Sequence, residues 1–292
     1  MNTLNTDYPK KEMSNAELAQ LAAEQYSNNN TDAPIKSNYQ FPTEIIELPS
    51  KGHFYPVDSP LASGKVEMKY MTAKEEDILT TQSYIKQGVV IDKLLQSLVV
   101  GNGEGKRVNI SELLIGDKNA LVIASRVLGY GKDYEIEITT PSGNKQKETI
   151  DLTKFEAKEI DFELTPRGVN RFPFELPASK RTVEVKLLTQ KDMDAVEAES
   201  KALKKNKLFN GSDSILSTTL IHTIVSVDGD ESQAAIRKAV NEMLAIDSRA
   251  LRSFINSVKP DIDLTCNLID NETDESFTIT LPLNINFFWP GV

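Results

Sequence analysis

The chain has 292 residues, and its 33 Lys and Arg against 43 Asp and Glu leave a formal net charge of −10. That balance argues against a nucleic-acid binder, whose affinity comes from cations neutralising phosphates, and favours basic or membrane-surface partners. A 39% hydrophobic and 26% charged composition is that of an ordinary soluble protein of about two domains, and one cysteine, Cys266, excludes an internal disulfide framework or a cluster of thiolate ligands.

Residues 1–40 are rich in Asn, Thr, Ser and Lys and read as a flexible tail. Met1 to Lys11 lacks the apolar core of a secretory signal. Within the tail, Ser14 and Glu17 fit a capping box, and Leu18, Leu21 and Ala22 share one face, so a short helix over Ser14 to Glu24 is expected before the linker Asn28 to Asp32. No stretch of the chain approaches the roughly 20 apolar residues that span a bilayer. A cytosolic protein is the expectation.

From residue 41 onwards the pattern is written twice. Glu47-Leu48-Pro49-Ser50-Lys51 returns as Glu175-Leu176-Pro177-Ala178-Ser179-Lys180, and the strand Val66 to Thr72 returns as Val183 to Thr189. The first copy carries extra residues between these signals, an insertion that includes Gly52-His53-Phe54-Tyr55-Pro56. Each strand hands over to a helix at a threonine three residues before an acid, Thr72 with Glu75 and Thr189 with Asp192, where the helix dipole favours negative charge. The second copy continues into a longer charged helix, Lys191 to Lys207, in which Met193, Val196 and Leu203 form only a thin apolar stripe.

Ile91, Leu94, Leu95, Leu98 and Val99 form the next helical stripe, echoed by Leu220, Ile221, Ile224 and Val225. Asp117 and Asp247 read as N-caps of a further helix in each copy, ended by Gly129-Tyr130-Gly131 and by Lys259-Pro260. Each copy closes with a hairpin. Tyr134, Ile136 and Ile138 alternate before the turn Pro141 to Asn144; Ile262, Leu264, Cys266 and Leu268 alternate before Asn271 to Asp274, and Phe277 to Ile285 return. The expected fold is α+β: two tandem, diverged β-α-α-α-β-β modules with antiparallel hairpins, at 41–165 and 166–292, behind the tail at 1–40. Phe155 to Gly168 reads as the connector.

Tests for chemistry are mostly negative. Gly101-Asn102-Gly103-Glu104-Gly105-Lys106-Arg107 fails as a phosphate loop because no Ser or Thr follows the lysine and Glu104 repels phosphate; a flexible connection between helices is expected there. His53 and His222 have no partner at ligand spacing, so neither a histidine triad nor a multi-histidine metal site is assembled. Asp228-Gly229-Asp230-Glu231 is acidic but lacks the ligand order of a calcium loop. Cys266 is in phase with the inward face of its strand and reads as a core residue.

Aromatic clusters are the better candidates for function. Phe287-Phe288-Trp289-Pro290 breaks strand alternation with three rings in a row, and Phe54-Tyr55-Pro56 lies in the insertion. Exposed rings of this kind mark interfaces. Phe54, Tyr55, Phe288, Trp289 and Pro290 are the interface candidates, whereas Phe287 is expected to pack within its own domain.

Several of these segments together, Leu48-Pro49-Ser50-Lys51-Gly52 with Phe54-Tyr55, Met71-Thr72 with Glu75 to Leu79, Ile91 to Leu95, Asp117 to Ala120, Gly129-Tyr130-Gly131 with Asp133-Tyr134, and Phe287 to Pro290, resemble the baseplate hub assembly proteins of T4-like tailed phages. The resemblance runs from about Phe41 to Pro290 and implies a non-enzymatic protein of tail morphogenesis, a factor or subunit of the central baseplate hub. Implied partners are phage hub or tail proteins, with transient membrane proximity admitted and no nucleic acid, cofactor or small-molecule substrate. The implied location is the host cell cytoplasm during assembly, or the tail baseplate of the virion. Some relatives carry a Cys-x-x-Cys knuckle in the last hairpin; Cys266-Asn267-Leu268-Ile269 keeps one thiolate, so no zinc is expected. The competing reading is a carboxylate-dependent hydrolase using acids near Asp77 or Asp228.

Overall fold

The computed structural model describes residues 42–205 and 215–289; the helix expected over Ser14–Glu24, Lys207 and Pro290 lie outside the described residues. In the first half, β1 (Thr43–Glu47) pairs antiparallel with β2 (Lys65–Lys69), and β3 (Val99–Gly101) pairs on the other side of β2. Between β2 and β3 run α1 (Ala73–Thr80), α2 (Gln82–Gln87) and α3 (Val90–Leu98); then follow α4 (Ile115–Tyr130) and the hairpin β4 (Asp133–Thr139) with β5 (Lys145–Asp151). In the second half β6 (Phe172–Glu175), β7 (Thr182–Val185) and β8 (Ile224–Val227) form a sheet of the same order, with α5 (Gln190–Lys205) and α6 (Ile215–Thr223) between β7 and β8. After α7 (Gln233–Asn241) and α8 (Ala245–Val258) comes the hairpin β9 (Thr265–Ile269) with β10 (Ser276–Thr280).

The α+β class is therefore as expected, but each half has two more strands than the sequence pattern suggested. Val99, Ile224 and Val225, assigned above to helical stripes, are strand residues in β3 and β8. Helical spacing cannot separate a short buried strand from the last turn of the helix before it. The β-branched runs Val99-Val100 and Ile224-Val225 suit a pleated surface better.

The halves agree in detail. Val66 and Met68 of β2 and Val183 and Val185 of β7 are buried on the inward face. A register shift falls between Glu67 and Met68 and again between Glu184 and Val185. Lys51 and Lys180 both take the left-handed conformation, with φ of 50° and 59°, in the turn after the Leu-Pro signal. Thr72 and Thr189 start their helices as expected. The Thr72 amide and hydroxyl donate to Glu75 Oε2 at 3.0 and 2.5 Å, and those of Thr189 donate to Asp192 Oδ2 at 2.9 and 2.8 Å.

Asp117 and Asp247 are not N-caps. The helices begin two residues earlier, after Leu114 and Leu244, which leaves both aspartates in the first turn with their carboxylates turned to another loop. The glycine-rich connection follows a strand rather than a helix and is ordered. Buried Asn102 accepts from the amides of Glu104 and Lys106 through its side chain and donates its own amide to Lys106 O.

One hydrophobic core crosses both halves, and main-chain bonds knit them together. Gln190 N donates to Leu113 O at 2.8 Å and Ile115 N to Leu188 O at 3.2 Å, so the start of α4 lies along the start of α5. The connector joins in as well: Lys158 N donates to Asp261 O, and Asp263 N to Glu156 O. Gly116 is the tightest point. A Cβ there would stand 1.7 Å from Pro260 O, so only glycine allows α4 to approach the end of α8 this closely.

Candidate functional site

The loop around Ser50 to Pro56 is a folded internal clamp. Asp117, fully buried on α4, accepts from the Ser50 amide at 2.9 Å, the Ser50 hydroxyl at 2.6 Å and the Tyr55 hydroxyl at 2.5 Å. The Tyr55 oxygen in turn accepts from Leu114 N at 2.9 Å, which satisfies a main-chain donor at the entry to α4. Burial pushes the Asp117 carboxyl above the usual range and outweighs the opposing hydrogen bonds from Ser50 and Tyr55. Burial, reinforced by the nearby Asp117 charge, raises the Tyr55 phenol well above its ordinary value. Asp247 does the same work in the second half with simpler partners: the amides of Ala178 at 2.7 Å and Ser179 at 3.1 Å.

Phe54, next to Tyr55, is only 3% exposed. Its ring stacks on Phe162 of the connector, with centroids 5.9 Å apart, and lies 5.4 Å from Phe172 of β6. His53 beside it meets Thr165 O at 2.9 Å through its Nε2 and accepts at its own carbonyl from Gly168 N. The loop thus reaches across to the connector and the second sheet.

The carboxy-terminal rings make the return crossing. Phe287 and Phe288 are buried, and Phe287 packs on Tyr134 of β4 at 5.0 Å. The Arg126 guanidinium lies over Tyr130 and Tyr134, while the Tyr130 hydroxyl donates to Glu76 at 3.0 Å.

As an exposed contact surface, then, Phe54, Tyr55 and Phe288 are corrected: all three fill the chain's own core. Trp289 is half-buried against that core, and Pro290 lies outside the described residues. The signal that separates a clamp from a free aromatic patch is the pairing of Ser50 and Tyr55 with Asp117, 67 and 62 residues away, a contact no local pattern displays.

Polar groups elsewhere are also engaged in structure. His222 Nε2 lies 2.9 Å from Glu199, whose other oxygen takes Arg237 at 2.7 Å, so the third member of that row is a cation and not a nucleophile. In the acidic turn after β8, Asp228 accepts from Thr182 N and Arg181 Nε, and Asp230 accepts from Ser232 N. Asp77 is exposed in α1, and no cleft gathers it with Asp228 among the described cavities. Among the described residues no three His, Cys, Asp or Glu side chains are grouped to hold a metal ion, and no helix is long and apolar enough to cross a membrane. Cys266 is buried, and burial pushes its thiol up, which disfavours the reactive thiolate.

Several cavities open among the described residues, and two of them have largely apolar walls. A cavity of about 490 Å³ lies where α4, α6 and α8 meet, with Ile215 and Leu216 exposed at its rim. A second groove, of about 410 Å³, runs between β1 and α4. Neither gathers ionisable groups in the manner of an active site. Searches of curated proteins and of solved structures returned no match. Residues 42–289 match the family model described as T4 bacteriophage base plate protein.

Proposed function

Because the chain belongs to the T4 bacteriophage base plate protein family, we propose that it is a non-enzymatic assembly factor or subunit of the central baseplate hub, working through protein–protein contacts in the host cytoplasm. The family match over residues 42–289 carries the reading, since it spans all of the described residues. The use of Asp117, Asp247, Glu75 and the Asp228 turn as internal fastenings supports it, because these carboxylates hold loops and helix starts instead of lining a cleft. A net charge of −10 suits basic partner surfaces.

The reading includes a tandem duplication, with modules at 41–165 and 166–292. Its support is the repeated strand order, the shared register shift, and the Thr–acid and Asp–loop fastenings found at matching places.

A phage with a stop codon in the gene for this chain is expected to make tails whose baseplates are missing or incomplete by electron microscopy, restored when the chain is supplied in trans. Normal infectious particles would overturn the proposal. Mass spectrometry of purified particles then separates the two forms: constant stoichiometry marks a subunit, and absence marks an assembly factor.

A further inference from the structure

The two sheets share an order of strands but treat their free edges differently. β1 is one outer strand of the first sheet and β6 the corresponding outer strand of the second. In the first sheet Leu48 N donates to Gly64 O and Tyr70 N to Pro42 O, so positions 42 and 48 are hydrogen-bonded pairs with the neighbouring strand. Antiparallel pairs alternate. Glu44 and Ile46 therefore turn their main-chain groups to β2, whereas Thr43, Ile45 and Glu47 turn theirs outwards.

In the second sheet Leu176 N donates to Arg181 O, and the same alternation points Pro173 and Glu175 outwards. Pro173 pairs with Glu184 as Ile45 pairs with Glu67, so the proline holds the place of Ile45. Proline has no N–H to offer, and it is a common means of blunting an edge strand. β1 has no such protection. Its outward amides and carbonyls at Thr43, Ile45 and Glu47 have no hydrogen-bond partner among the described residues.

Chemistry around this edge defines what would fit it. Ile45 is 48% exposed on one face of β1. The 410 Å³ groove runs along this strand, lined by Ile45 together with Ile46, Ile123, Val127, Leu152 and Phe155. Glu44 and Glu47 flank the two isoleucines, and Glu67 stands opposite Ile45 on β2. A strand laid here would complete main-chain bonds at alternate residues, set apolar side chains over the groove, and meet carboxylates at both ends.

We propose that β1 is a strand-addition site for an extended segment of a partner protein in which apolar and basic residues alternate. The proposal deepens the baseplate role by naming the kind of segment recognised, and rests on it only for the partner's origin.

The test uses the full chain and a labelled heptapeptide of alternating Lys and Val. Saturable binding by fluorescence anisotropy is expected, with amide hydrogen exchange slowed at Thr43, Ile45 and Glu47. Ile45→Pro copies the second sheet and removes an outward N–H without breaking the pairing to β2. It should weaken binding about tenfold or more, with the unfolding midpoint little changed.

If Ile45→Pro does not fold, peptides N-methylated on one or the other alternate set of amides give the answer with the wild-type chain: one set should abolish binding and the other leave it intact. No binding, equal binding by Ile45→Pro, equal loss from both methylated sets, or equal affinity for a Glu/Val peptide would each overturn the proposal. It would also fall if the edge amides became protected without peptide, either with rising protein concentration, which assigns the edge to a second copy, or in a monomer and lost on removal of residues 1–41, which assigns it to the chain itself. Any of these failures leaves the phage stop-codon experiment untouched.

Discussion

At the scale of single residues, buried carboxylates organise this chain, and two of them have opposite consequences for pH. Glu75 is fully buried; burial opposes its charge, but hydrogen bonds from Lys69 at 2.8 Å, Ser97 at 2.6 Å and Thr72 outweigh that and hold its pKa at about 2. An unfolded glutamate titrates near about 4.3. The folded value is the lower one, so the stability Glu75 contributes is fully present above the unfolded value and is lost as pH falls towards about 2. Glu75→Gln is expected to lower stability by about 2 kcal/mol at neutral pH, and urea melts should show that deficit shrinking as pH falls below about 4. A deficit that stays constant down to pH 3 would contradict the assignment. Asp117 is shifted upwards and has the reverse dependence, its contribution weakening as pH rises through the folded value. Here the useful variant is Tyr55→Phe, which removes a donor from Asp117 and an acceptor from Leu114 N while keeping the ring. It should cost about 1–3 kcal/mol in chemical denaturation. The capping role of Thr72 with Glu75 was legible because both ends lie within four residues; the clamp on Asp117 was not, because an aspartate near a helix start looks like an N-cap whichever way its carboxylate turns.

Among elements, the meeting of α4 with the end of α8 is the sharpest constraint. In an open helix, Gly to Ala would gain up to about 1 kcal/mol. At Gly116 the new methyl would enter Pro260 O, a backbone atom that cannot rotate away, so the sign reverses. Gly116→Ala is expected to destabilise by about 1–3 kcal/mol or more, read as a lowered denaturation midpoint; an unchanged or raised midpoint would mean the helices do not cross this closely. Element boundaries show what the sequence could and could not carry. The first hairpin and the ends of the long helices at Gly131 and Lys259 are strongly periodic or clearly punctuated and lie where the pattern put them, whereas the returning strand of the second hairpin stops at Thr280, and Ile285, expected to continue it, opens a 3-10 turn instead. The short strands β3 and β8 escaped because each continues directly from a helix with no glycine or proline between, and strand pairing to β2 and β7 is a contact at a distance.

Across the whole molecule, the two halves have sheets of the same strand order but do not close their cores separately. Phe54 from the first half needs Phe172 from the second, and Tyr134 needs Phe287, so each half supplies a ring that finishes the other's interior. The main-chain bonds between Leu113–Ile115 and Leu188–Gln190 add a polar seam that neither half can satisfy alone. The aromatic runs were visible in the sequence, but whether they faced a partner or the chain itself depended on this crossing, which only the fold reveals. Residues 42–165 and 166–292 produced separately are therefore expected to lack cooperative unfolding and to bind a hydrophobic dye, each having apolar surface left uncovered. Mixed, they should associate one to one and regain the transition. The only tryptophan, Trp289, belongs to the second half and lies half-buried beside the first half's Tyr130, so its emission should shift to the blue on mixing. Phe287→Ala in the second half should abolish that recovery, since removing a fully buried ring of this size costs about 3–5 kcal/mol. If residues 42–165 alone melted cooperatively at the midpoint of the full chain, the rings that cross between the halves would be packing without consequence, and the two halves would be independent domains joined by a tether.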